Sequence, residues 1–285
     1  MAAIIPSVSK LSSRIIRVLG CNPSPMTLQG TNTYIIGTGK RRILLDTGDS
    51  DVPQYTKNLE EVLKKENIDL EHIIVTHWHH DHIGGVHNIV NKISNNCTVW
   101  KFESTFPPDD PLPNKIPLNY LKHGQEFETE GATLRVVHTP GHTTDHIVLT
   151  LLEENALFSG DCILGEGTAV FEDLYDYMNS LHQILDLKPV CIYPGHGPVV
   201  EDPLPKIEYY INHRNQREKQ ILEVLKKEAR KMTELDLVKI IYTDTPRNLY
   251  AAATVNVNHH LNKLLKENKV LQVGTEWQYK ADSNL

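Results

Sequence analysis

Over the first two hundred positions, apolar residues fall in short alternating or continuous runs, the pattern of half-buried and fully buried strands. Such runs lie at residues 14–19, 32–36, 42–46, 72–76, 98–100, 132–138, 147–152, 156–159 and 190–193. Two stretches keep helical spacing instead. These are residues 52–66, with Val52, Tyr55, Leu59, Val62 and Leu63 close to one face, and residues 174–187. Strands with interspersed helices, lacking strict alternation, predict stacked mixed sheets with helices outside them. Residues 107–117 hold five prolines and read as a surface loop.

The pattern changes after Pro205. Residues 206–231 predict one long polar helix, Thr233 caps a short helix at 234–242, and residues 248–266 form another. Residues 270–280 read as a hairpin turning at Gly274. Helices followed by a terminal hairpin are the order of a winged-helix module. The chain therefore divides into a body, residues 1–205, and a C-terminal module, residues 206–285.

Composition places this chain among globular proteins, with 40% hydrophobic and 23% charged residues in 285 positions. No apolar run approaches the roughly 20 residues that cross a bilayer, so no membrane role is expected. Four scattered cysteines exclude a disulfide framework or a cysteine-type zinc site and fit a reducing intracellular compartment. The net charge of -7 hides an asymmetry. From Lys206 onward there are 14 basic and 10 acidic residues, a net of +4, against 15 basic and 26 acidic in the body, a net of -11. A basic tail on an acidic body either meets an anion or is a solvated helix surface. The N-terminus carries Lys10, Arg14 and Arg17 with no acid before Asp46, a composition like that of a mitochondrial targeting segment. Residues 14–19, however, read as a strand that the fold needs.

The 15 histidines carry the chemistry. Four stand within His77-Trp78-His79-His80-Asp81-His82, and packing gives no reason for such a cluster. Zinc takes imidazole nitrogen and carboxylate oxygen at about 2.0–2.2 Å, and catalytic sites keep a position for water. His77 and His79, two apart on an extended segment, can face one ion. Asp81 and His82, after a turn, can face a second. Three more residues follow apolar strand runs, each beside a glycine: His142 in Thr139-Pro140-Gly141-His142, Asp161 in Ser159-Gly160-Asp161, and His196 in Pro194-Gly195-His196-Gly197. His80 alternates away from its neighbours and is set aside. His72, His87, His123, His138 and His182 read as surface or packing residues, while His146 is a proton-donor candidate. Cys162 should point away from the site.

Together these motifs resemble the metallo-β-lactamase superfamily, its glyoxalase II-like group, over roughly residues 14–200. The resemblance implies a four-layered αββα fold, extended here by the winged-helix module. It also implies two zinc ions per chain. His77, His79 and His142 would hold one, Asp81, His82 and His196 the other, and Asp161 would bridge. Asp46, in Leu44-Leu45-Asp46-Thr47-Gly48, matches the family's strand-end aspartate and would accept a hydrogen bond from a ligand N–H. Two such ions make hydroxide from water near neutral pH, which Asp81 can orient and deprotonate.

The ligands do not choose among ester, thioester, amide and phosphodiester, so the tail carries the substrate argument. The whole arrangement is similar to a compact branch of the superfamily, animal β-lactamase-like proteins that act as mitochondrial endoribonucleases on single-stranded RNA. That resemblance implies hydrolysis leaving a 3′-hydroxyl, in the mitochondrial matrix. Arg214, Arg217, Lys226, Lys227, Arg230, Lys231, His259, Lys263 and Lys266 are the residues expected to meet RNA phosphates. The alternatives are a glyoxalase II-type thioester hydrolase, with the same metal sphere, and a nucleic-acid-binding or assembly protein with a structural zinc site.

Overall fold

The structure, a computed structural model, describes residues 4–281. Seven strands form a first sheet in sequence order: β1 (Val8–Lys10), β2 (Ile15–Leu19), β3 (Asn32–Ile36), β4 (Arg41–Leu45), β5 (Asp69–Val75), β6 (Thr98–Lys101) and β7 (Leu118–Tyr120). Pairing is antiparallel from β1 to β4 and parallel from β4 to β7. Three helices connect its later strands: α1 (Pro53–Lys65), α2 (His80–Ile83) and α3 (Val86–Lys92). The second sheet contains β8 (Glu126–Thr129), β9 (Ala132–His138), β10 (Ile147–Leu151), β11 (Ala156–Gly160) and β12 (Cys191–Pro194), in the order β12-β11-β10-β9-β8. Helix α4 (Leu174–Leu187) crosses from β11 to its parallel neighbour β12.

Alternation along the strands makes the four layers. Tyr34, Ile36, Ile43, Leu45 and Ile74 meet Leu134, Val136, Ile147, Leu149 and Phe158 between the sheets. The opposite faces bury Ile35, Leu44 and Ile73 against Tyr55, Leu59 and Val86 on one side. On the other, Val148, Leu157 and Ile192 pack against Tyr177, Leu181 and Ile184. Each sheet is covered on both faces, which explains why its central strands are apolar throughout. The strands not anticipated, β1, β7 and β8, are three or four residues long and each leaves residues exposed, so their apolar signal is weak.

Beyond this sandwich come α5 (Pro203–Glu228), α6 (Glu234–Ile241), α7 (Tyr250–Lys266) and the hairpin of β13 (Val270–Val273) and β14 (Glu276–Tyr279). Helix α5 starts earlier than its polar pattern predicts because Pro203 and Pro205 sit in its first turn, where a missing N–H costs nothing. Thr233 caps α6 through a reciprocal bond with Asp236. Met232, Leu237, Val257, Leu261, Val270 and Trp277 close a second core. Helix α5 belongs to both cores. Ile207, Tyr210 and Ile211 pack with the second sheet, whereas Ile221 and Leu225 pack with the winged helix. The expected division near residue 205 thus falls at the start of a helix that the two units share. Among the described residues no helix is long and apolar enough to cross a membrane.

Candidate metal centre

Every ligand stands just beyond a strand end. The C-terminal end of β4 presents Asp46, that of β5 leads into His77 and His79, and α2 carries Asp81 and His82. The turn between β9 and β10 supplies His142, while β11 and β12 end in Asp161 and His196. Close packing demands glycine here. A Cβ on Gly195 would lie 2.4 Å from Asp161 Oδ1, and one on Gly141 would meet the Tyr177 backbone at 2.2 Å.

The two donor groups expected from the motifs are both assembled. His77 Nε2 and His79 Nδ1 are 2.9 Å apart, and His142 Nε2 is 3.2 and 3.1 Å from them. In the second group Asp81 Oδ2 lies 3.2 Å from both His82 Nε2 and His196 Nε2, which are themselves 3.4 Å apart. Asp161 joins the groups. Its Oδ1 is 3.4 and 3.3 Å from His82 Nε2 and His196 Nε2, and its Oδ2 is 3.7 Å from His142 Nε2. Four atoms at about 2.0–2.1 Å from a common ion would be about 3.3–3.4 Å apart at tetrahedral angles. Asp161 Oδ1 is buried with no hydrogen-bond donor. An orphaned carboxylate oxygen is costly, and a cation between these atoms would satisfy it. The residues fit two metal ions.

Hydrogen bonds behind the ligands set their tautomers. Asp46 accepts from the Thr76 backbone N–H at 2.7 Å, the Thr76 hydroxyl at 3.0 Å and His82 Nδ1 at 2.8 Å. Having given its proton to Asp46, the Thr76 hydroxyl accepts from His77 Nδ1 at 2.9 Å. His142 Nδ1 donates to the Val170 carbonyl at 2.8 Å. In each case the other ring nitrogen faces the site, as the lone-pair donor a metal ion would take. Asp46 thus sits behind His82 and, through Thr76, behind His77.

Electrostatics divide the groups. Burial, reinforced by neighbouring imidazoles, lowers the pKa of His77 well below its ordinary value and that of His79 to about 4. These are neutral ligands at any physiological pH. Burial also works against protonating His196, but Asp161 and Asp81 outweigh it and raise its pKa to about 9. His82 is raised for the same reason, with Asp46 contributing most after burial. A cage that draws protons onto its imidazoles calls for positive charge, which a divalent ion supplies.

Three supports are invisible as motifs. Thr31 donates its hydroxyl to Asp81 Oδ2 at 2.8 Å, and Asn32 holds the His196 loop through the carbonyls of Pro194 and Gly197, both at 2.9 Å. Tyr34 donates to the Pro194 carbonyl at 2.7 Å. The small polar run Gly30-Thr31-Asn32-Thr33 at a strand start was the available signal. His80 points outward to Ser50, as expected. His146 requires correction as a proton donor: it is fully buried, accepts from the Asp161 backbone N–H at 3.1 Å, and burial keeps it neutral. Cys162 is buried in the core beyond the second sheet, away from the ligands.

The expected phosphate contacts need larger corrections. Arg214 is only 6% exposed, lies over the Phe171 ring and donates to the Ala169 carbonyl. Lys263 is buried between Glu218 and Glu267. Lys266 is tied to Asp173 at 2.6 Å, His259 rests edge-on against Phe171, and Arg217 covers the Tyr242 ring. The remaining four, Lys226, Lys227, Arg230 and Lys231, are exposed where α5 ends. Lys226 lies over the Tyr279 ring and Arg230 pairs with Glu228, yet all four face solvent and form an exposed basic patch.

Beside the site a cavity of about 500 Å³ is walled by Trp78, Ile83, Pro107, Pro108, Leu112 and Leu118. The proline-rich segment is thus a wall of the cleft.

A hydrolase-type metal centre at the strand ends of an αββα sandwich defines the class of this molecule. The chain belongs to the metallo-β-lactamase superfamily, whose family model matches residues 26–196, and a β-lactamase-associated winged-helix domain matches residues 233–277. It is 59% identical to a β-lactamase-like protein 2 homologue of Drosophila melanogaster, covering 94% of this chain and 93% of that one. A β-lactamase domain protein from Burkholderia ambifaria superimposes with a TM-score of 0.78 at 16% identity, covering 98% of this chain and 96% of that one. The structure of TTHA1623 in a di-iron-bound form matches 66% of this chain and 95% of its own, at 26% identity and a TM-score of 0.51.

Proposed function

We propose that this superfamily hydrolase is a zinc-dependent endoribonuclease that cleaves phosphodiester bonds of single-stranded RNA and leaves 3′-hydroxyl ends. The observation that carries the reading is the pair of donor groups joined by Asp161, in a chain that continues into a winged helix with an exposed basic patch beside it. Two divalent ions held there would supply a water of lowered pKa and offset charge on a phosphoryl oxygen. The chain's own residues do the rest. Asp81, fixed by Thr31, stands where it can orient that water and receive its proton. His77, His79 and His142 stay neutral and spend no protons. Lys226 and Lys227 lie about 18 Å or more along α5 from Arg214, at 1.5 Å per residue, and Arg230 and Lys231 follow just past the helix end. They favour a polyanion that extends beyond the cleft. The matrix location expected from the basic N-terminal segment belongs to the same proposal.

The apolar cavity walled by Trp78 and the prolines favours a second reading, a thioester hydrolase that seats an acyl group there. One assay separates them. Zinc-loaded protein is offered single-stranded RNA, duplex RNA and a glutathione thioester, beside Asp81→Asn. The first reading expects single-stranded RNA to be cut with 3′-hydroxyl products and the cutting to fall by at least 100-fold in Asp81→Asn. Thioester turnover with intact RNA would sink it.

A further inference from the structure

Three of the residues lost to phosphate binding, Arg214, His259 and Lys266, converge on one segment, residues 164–173, between β11 and α4. That segment has two sides. On one, the Val170 carbonyl accepts the Nδ1 proton of His142, and the backbone N–H groups of Glu172 and Asp173 donate to the Gly141 carbonyl at 2.8 and 3.1 Å. On the other, helices α5 and α7 grip it. Arg214 Nη2 donates to the Ala169 carbonyl at 3.1 Å while its guanidinium lies 4.8 Å from the Phe171 ring centre. Tyr210 donates to the Gly167 carbonyl at 3.0 Å. His259 covers the edge of Phe171, and Lys266 bonds Asp173.

We infer that Arg214 is a positioning residue for the metal ligand His142, acting through the Ala169–Val170 backbone, and that α7 assists it through Lys266. The physical route is short. Ala169 and Val170 are adjacent, so the carbonyl that sets the His142 tautomer belongs to the peptide next to the one Arg214 holds, joined to it at the Val170 Cα, and the Phe171 ring under the guanidinium fixes that peptide's other end. A carbonyl free to swing would leave His142 able to present Nδ1 or Nε2, and only Nε2 converges with His77 and His79. This gives the C-terminal helices a part in building the first metal group, whatever substrate the centre acts on.

The test uses the full-length metal-free chain titrated with Zn²⁺ against a chromophoric chelator, with the His142 ring N–H followed by NMR. The variants are Arg214→Met, Lys266→Met and, away from the segment, Lys227→Met. One of the two binding steps is expected to weaken roughly 10- to 100-fold in Arg214→Met and by less in Lys266→Met. The other step should be unchanged, as should both steps in Lys227→Met. The His142 ring N–H should exchange faster in the first two variants. Should Arg214→Met fail to fold, Lys266→Met, whose side chain is half exposed, decides the matter. Binding steps that are unaltered in Lys266→Met, or that fall equally in both variants, overturn the assignment.

Discussion

Asp46 shows how a single residue governs the centre without touching an ion. It is 2% exposed and accepts three hydrogen bonds, one of which orients His82 and another of which orients His77 through Thr76. Replacing it by alanine strands at least two buried donors, each costing about 1–3 kcal/mol. Asp46→Ala is therefore expected to lower the stability of the metal-free chain by several kcal/mol in urea unfolding and to weaken metal uptake by both groups. Retention of wild-type metal affinity would contradict the orienting role. The ligands were legible because each carries its own chemistry: imidazoles and carboxylates beside glycines have few other reasons to be where they are. Thr31 and Asn32 were not, since a threonine or asparagine at a strand start looks the same whether or not it faces a ligand fifty or more residues away.

At the scale of elements, the strand ends and their turns do the positioning. Gly195 does not have a left-handed backbone, so its need for a hydrogen in place of a methyl comes from its neighbours, Asp161 Oδ1 at 2.4 Å first and the Gly160 backbone at 3.0 Å after it. Gly195→Ala should push that carboxylate aside, leaving a chain with native circular dichroism that binds fewer than two ions by inductively coupled plasma mass spectrometry. Two bound ions in the folded variant would count against the bridging role. Helix α5 teaches the converse lesson about legibility. Its length and polarity were readable, and its buried stripe runs through Ile207, Ile211, Arg214, Glu218, Ile221 and Leu225 at steps of three and four. Arg214 stands in the middle of that stripe, so periodicity places it inward, while its charge invites an outward reading. Which face of a helix is covered depends on what packs against it. The aromatic ring and carbonyl that receive Arg214 lie on a segment some forty residues earlier.

For the molecule as a whole, the junction between sandwich and winged helix is a second polar interior, with Arg214, Glu218, His260 and Lys263 buried. There His260, on α7, is 1% exposed with neither ring nitrogen partnered. Burial and the charges of Arg214, Arg217 and Lys263 push its pKa down to about 3. An unfolded histidine titrates near 6.5. Between those values the unfolded chain binds a proton that the folded chain refuses, so stability is lost as pH falls below about 6.5 and is unaffected above it. At pH 5 the loss is about 2 kcal/mol. His260→Leu should remove it, raising the acid-side melting temperature more than the value at pH 8. An equal gain at both pH values would show that packing alone is responsible. Helix α5 has one further consequence. After Pro205 it contains neither proline nor glycine, so the ladder of backbone bonds passes from one core into the other with no joint to bend at. The winged helix is mounted on a fixed shaft, at a set distance and bearing from the His/Asp metal site.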